Sequence, residues 1–160
     1  MSWCSRPSAW KLALVFALAA PRAARAQGWR ETQLWAVLAL SRPAFTGFGA
    51  GLAWRDGGRT RIAAALAGGA LGSAGPAARA EIVGHFLLDP ARTRGDAVYG
   101  GGGLAVLMDE HGRLHPYVQL VLGAENAPSG PRGTFVEVGV GGGARLAIGL
   151  RWRKRNAPRR

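Results

Sequence analysis

Cysteine is all but missing from this chain: Cys4 is the only one. It lies before a short apolar run at 12–20, so it is not placed as a lipid-acceptor cysteine. Cleavage after Ala26 would remove it. The rest of the chain then has no disulfide, even in an oxidising compartment, and no thiolate for catalysis or metal binding. Lysine is almost as scarce, with Lys11 and Lys154 alone, so arginine carries the positive charge. Long apolar runs are lacking too. The run at 12–20 falls well short of the about 20 residues that a helix needs to cross a bilayer. Acids are outnumbered, with Lys+Arg 21 against Asp+Glu 9 and a net charge of +12.

What is present begins with an export signal. Arg6 and Lys11 precede the apolar run, Pro21 ends it, and Ala24-Arg25-Ala26 supplies the small-x-small pattern of a cleavage site. Residues 1–26 are therefore expected to be a signal peptide, leaving one domain at 27–153 and a basic tail at 154–160. Residues 1–26 hold four basic residues and no acid, so cleavage lowers the charge to about +8. An exported basic chain points away from nucleic acid; a solvated tail that meets no partner is the plain reading, and anionic lipid headgroups are the partner its charge would suit.

Turn signals divide the remainder at short intervals: Ser41-Arg42-Pro43, Asp56-Gly57-Gly58, Ser73 to Pro76, Asp89 to Gly95, Asp109 to Gly112, Asn126 to Gly133 and Gly141-Gly142-Gly143. Between them the spacing predicts strands near 31–40, 44–55, 59–72, 77–88, 96–108, 113–125, 133–141 and 144–153. Side chains on a strand alternate between two faces. In the last segment Leu146, Ile148, Leu150 and Trp152 share one parity, and Arg145, Ala147, Gly149, Arg151 and Arg153 share the other. The third and fifth segments are rich in Ala and Gly and alternate weakly. A membrane helix over 62–78 is the competing reading there. Short connections and an even strand count favour an all-β fold, an eight-stranded antiparallel up-and-down barrel.

Alternation alone does not say which face is inside. A soluble barrel buries its apolar face, and a membrane barrel turns it outward. Here the apolar parity is aliphatic and free of mid-strand charge. The other parity holds small residues and a few charges, unlike a soluble coat. The expected lipid-facing set is Leu34, Leu38, Leu52, Ile82, Phe86, Val118, Leu120, Val136, Val138, Leu146, Ile148 and Leu150. The expected lumen charge network is Glu31, Arg55, Arg79, Glu81, Glu125, Glu137, Arg145 and Arg151, with Gln33, Tyr117 and Gln119 filling hydrogen-bond gaps. Glu137, Arg79 and Glu81 are expected deepest, the others nearer the rims. Trp29, Trp54 and Trp152 suit an aromatic belt at headgroup level.

With its signal peptide, its strand count and the terminal run Leu146-Ala147-Ile148-Gly149-Leu150-Arg151-Trp152, the chain resembles the small eight-stranded outer-membrane barrels of bacteria. Such barrels usually finish on an aromatic residue. Here the aromatic is Trp152, and residues 153–160 follow it. The resemblance implies termini on the periplasmic side, which makes the outer connections the short ones and argues against adhesion through long loops. It also raises lipid-modifying chemistry by Ser and His, since some small barrels are such enzymes. The candidates are His85, His111 and His115 with Ser41, Ser73 and Ser129, but no motif surrounds any of these serines. His111 and His115 beside Asp109 and Glu110 read as a polar turn rather than a metal site. The run at 100–103 lacks the Lys and helix of a phosphate loop. The expectation is a monomeric, non-enzymatic outer-membrane barrel with a packed lumen, no pore, no cofactor and no metal, in contact with membrane lipid. The alternative is a soluble periplasmic or secreted barrel binding a small apolar ligand.

Overall fold

The computed structural model describes residues 28–55 and 58–155; the expected signal peptide, the Asp56-Gly57 turn and residues 156–160 lie outside them. The strands are β1 (Trp29–Leu40), β2 (Phe45–Arg55), β3 (Thr60–Leu71), β4 (Pro76–Leu87), β5 (Asp96–Met108), β6 (Leu114–Asn126), β7 (Arg132–Val140) and β8 (Ala144–Arg155). They form a closed antiparallel barrel in sequence order, with β1 paired to both β2 and β8. Closure leaves no sheet edge along β1 or β8, which is how this architecture avoids unpaired ladder groups.

Each register joins residues of like parity, as in Trp29↔Arg55, Thr60↔Phe86 and Asp96↔Asn126. Alternation is therefore carried around the whole cylinder without interruption. Inside the barrel wall, odd-numbered residues point inward and even-numbered residues outward. The helix reading of 62–78 is overturned: this stretch is the end of β3, a tight turn and the start of β4. Alanine and glycine suit a strand here because the wall is closely packed, and their small size is what blurred the alternation. The basic tail also begins later than expected. Strand β8 continues to Arg155, pairing Lys154 with Arg30 and Arg155 with Trp29.

Glycines opposite large rings make the narrow interior possible. Trp35 faces Gly49 across the β1–β2 ladder, Tyr99 faces Gly123, and Phe135 faces Gly149. A methyl group on Gly49 would approach the Trp35 ring to 2.7 Å, and one on Gly149 would approach Phe135 to 2.7 Å. Each ring lies over the bare backbone of its neighbour, so an eight-stranded lumen holds three of them without expanding. At the end reached by the β7–β8 turn, Gly142 has φ +73°, a conformation glycine adopts without a Cβ clash.

Candidate functional site: the lumen and its outer wall

Four connections close one end of the barrel, here the hairpin end. The chain termini and the other three connections mark the opposite, terminus end. Toward the hairpin end the interior is apolar. Trp35, Val37, Ala39, Phe45, Leu71 and Leu107 form one buried cluster there, with Tyr117 packed against it. Toward the terminus end it is ionic. Arg61 donates to Glu125 at 2.9 Å and approaches Glu31 at 3.5 Å. Arg153 bonds Glu31 at 3.2 Å and Glu125 at 3.0 Å. Arg151 also pairs with Glu125, so three guanidinium groups converge on this one carboxylate.

A second group is anchored in the hairpin half, where Arg145 is the register partner of Ala39 and Arg79 that of Leu107. Arg145 bridges Glu137 at 2.7 Å and Glu81 at 3.1 Å, and Arg79 bonds Glu81 at 3.2 Å and Gln119 at 2.6 Å. The two groups are joined through Tyr99. Its hydroxyl accepts from Arg151 at 2.9 Å and donates to Glu137 at 2.8 Å. The Arg61 and Arg151 guanidinium groups stand 4.7 Å and 5.0 Å from the centre of the same ring, and Arg151 stands 4.1 Å from that of Phe135. His85 meets Tyr99 edge-on and lies 3.7 Å from Glu137. Buried charges this dense persist only because every carboxylate meets arginine; removing one partner of such a pair costs about 3–5 kcal/mol.

Several expected positions need correction. Arg55 faces inward but meets no acid. It is the last residue of β2, level with the loops, and it donates to the carbonyls of Pro128 at 2.9 Å and Pro90 at 2.5 Å. Burial does not follow depth along the strands. Glu31, Glu125 and Arg151 are more completely buried than Glu81, because the loops after β4 and β6 fold across the terminus end. Pro128 is fully buried there, and Ser129 donates from its backbone and its hydroxyl to Arg92 O. Arg61, Arg153 and Tyr99 belong to the network and were not among its expected members. Arg61 and Arg153 share the inward parity of Ala63 and Arg151, which is the signal that reveals them. Gln119 accepts from Arg79, whereas the buried Gln33 Nε2 finds no acceptor. Trp54 and Trp152 are on the outward parity near the terminus end. Trp29 is not, since it shares the inward parity of Glu31 at the rim of β1.

The candidate chemistry is dispersed. His85 is inside the wall, while Ser41, Ser73 and Ser129 are in connections at the two ends. Asp109 accepts from the backbone of Arg113 and His111 and lies 3.3 Å from His115, closing the β5–β6 turn. Among the described residues no cluster of three or more His, Cys, Asp or Glu is arranged to hold a metal ion. An interior pocket of about 10 Å³ lies beside Gln33, Glu81, His85 and Glu137.

The outer wall reverses this chemistry. Every strand exposes large apolar side chains there, from Leu34 on β1 through Phe48, Leu66, Phe86, Leu104, Val118 and Val138 to Ile148 on β8. All twelve residues of the expected apolar set share this outward parity; Leu38 and Ile82 are half-buried and the others exposed. The charges that do face outward from the strands are Arg30, Asp96, Arg132 and Lys154, each at the terminus end.

These features define a closed eight-stranded antiparallel β-barrel with buried charges inside and an apolar skin. The solved structures that share that fold include two bacterial proteins. One is the N-terminal β-barrel domain of Pseudomonas aeruginosa OprF, at a TM-score of 0.59 and 10% identity, covering 80% of this chain and 100% of that one. The other is Neisserial surface protein A (NspA), at 0.52 and 13% identity, covering 78% of this chain and 96% of that one. At these identities the likeness is one of architecture. No family model and no curated protein sequence matches the chain.

Proposed function

We propose that this chain is a monomeric bacterial outer-membrane β-barrel with a packed lumen and no open pore, acting as a structural or interaction protein rather than an enzyme. The observation that carries the reading is the inversion of the wall. Phe48, Val118 and Leu66 are 78%, 74% and 69% exposed, while Arg61 and Arg151 are each 1% exposed. In water that skin would be a liability at about 25 cal/mol per Å² of apolar surface, far beyond the patches of soluble monomers. In a bilayer it is the favoured surface. The absence of outward charge along the middle of the strands avoids the about 2–4 kcal/mol cost of an Arg or Lys at mid-membrane.

The soluble ligand-binding alternative requires an apolar internal cavity of a few hundred Å³. The interior pocket beside Glu81, His85 and Glu137 has about 10 Å³ and admits about one water. That contrast favours the membrane reading. Cell fractionation and gel mobility test it. The full chain should require detergent for extraction and should migrate differently before and after boiling, as a barrel that resists unfolding does. Recovery of the mature chain as a monomer in aqueous extract would overturn the proposal.

A further inference from the structure

The outer wall is not uniform at the terminus end. The β6–β7 ladder stops at Glu125↔Phe135, although β7 continues to Arg132. Residues Arg132, Gly133 and Thr134 pair only toward β8, with Trp152, Arg151 and Leu150. Strand β6 ends one residue later at Asn126, whose carbonyl stays close to Gly133, and a surface groove of about 380 Å³ lies between Asn126, Arg132, Thr134, Leu150 and Trp152. Its chemistry is graded along the strand direction. Arg132 and Trp152 are register partners at the rim, Thr134 and Leu150 are the next outward pair, and Leu150 begins the aliphatic column continued by Ile148 and Leu146.

The groove also lies at one end of a basic row. Arg132 on β7, Lys154 on β8 and Arg30 on β1 all face outward and are exposed. Lys154 and Arg30 are register partners across β8–β1, and Trp54 lies next to Arg30 on β2. No acid pairs with any of these three cations among the described residues. The outward strand acid, Asp96, is on β5, beyond Asn126.

We propose that this groove seats one acidic glycerophospholipid, its phosphate on Arg132 and its acyl chains along Leu150 and the Trp152 ring; the proposal rests on the membrane reading above. A planar guanidinium holds a phosphate through paired hydrogen bonds. An indole at headgroup level bridges polar and apolar zones. The neighbouring Lys154 and Arg30 repel the ammonium group of a zwitterionic lipid, which selects for net negative charge. A free phosphate ion would use Arg132 but leave Leu150 and Trp152 without a role.

Native mass spectrometry of the full mature chain, refolded with an equimolar mixture of phosphatidylglycerol and phosphatidylcholine, tests this. One phosphatidylglycerol should be retained with a preference of about fivefold or more, the scale expected of a single basic residue near a lipid surface. Arg132→Glu and the milder Arg132→Gln should bring the two lipids toward parity. Arg113→Glu, at the hairpin end, should leave the preference intact. Equal retention of both lipids by the unaltered chain would overturn the seat, as would an equal loss in Arg113→Glu. Heat-modifiable mobility and vesicle insertion are read on the same samples. A chain that fails to insert refutes the membrane reading itself, whereas one that inserts without lipid preference refutes only the seat.

Discussion

The two halves of the lumen fill the same narrow space by opposite means. Near the hairpin end, Trp35, Phe45, Leu71 and Leu107 pack as an apolar cluster, with Arg79 and Arg145 rooted beside it. Near the terminus end, Arg61, Arg151 and Arg153 close on Glu31 and Glu125, and a lid of loop carbonyls covers them. An apolar filling specifies volume, and many arrangements of similar volume satisfy it. An ionic filling specifies partners, because a carboxylate moved away from its arginines is left buried and unpaired. We therefore assign volume filling to the hairpin half and choice of register to the terminus half. Sliding β8 by two residues against β1 would keep side-chain parity but separate Glu31 from Arg153.

The largest test of this contrast is Glu125→Leu. It leaves Arg61, Arg151 and Arg153 without their shared acceptor and should lower unfolding stability by about 3–5 kcal/mol, measured by reversible urea titration of the refolded barrel. Adding Arg151→Met should restore part of the loss, so the double variant should be less destabilised than the sum of its singles. Strict additivity would mean that the cluster is not a cooperative unit. In the apolar half, Leu71→Ala should cost about 2–5 kcal/mol by cavity formation, with no coupling to Arg151→Met. Coupling between those two positions would erase the distinction between the halves.

The smallest effect is expected outside both, in the β5–β6 turn. The backbone N–H of Arg113, together with His115 and the His111 backbone, holds the Asp109 carboxyl below its ordinary value. A carboxyl lowered in the folded state stabilises the turn above the ordinary carboxylate range. That contribution is lost as pH falls through the lowered value. Acidification through that range should loosen the amides of His111 and Arg113, seen as faster hydrogen exchange, while Asp109→Ala should give fast exchange at every pH. The lumen network should be unaffected by the substitution.

Strand positions were the most legible part of the chain. Gly, Pro, Asp and Asn clusters placed every boundary within two residues, since each turn needs a special backbone and each strand has a period of two. The charged parity of β8 was equally plain. Less legible were β3 and β5, where alanine and glycine on both faces conceal the alternation. For that reason Arg61 at the start of β3 and Tyr99 near the start of β5 were missed as members of the network. Arg55 was placed on the correct face but given the wrong partners. Its carbonyl acceptors lie in the loops after β4 and β6, and no periodicity foretells how a loop folds back.

By itself, the order of residues determined the elements and their two-faced character, because alternation and turn chemistry act over a few neighbours. Only the tertiary structure decided which groups meet. Glu31 and Arg153 are 122 positions apart. They touch because β1 and β8 close the cylinder, and Arg61 reaches Glu125 because the wall between them curves. The lid over the terminus end is likewise a product of closure: its loops lie far apart along the chain and come together only at the barrel's mouth.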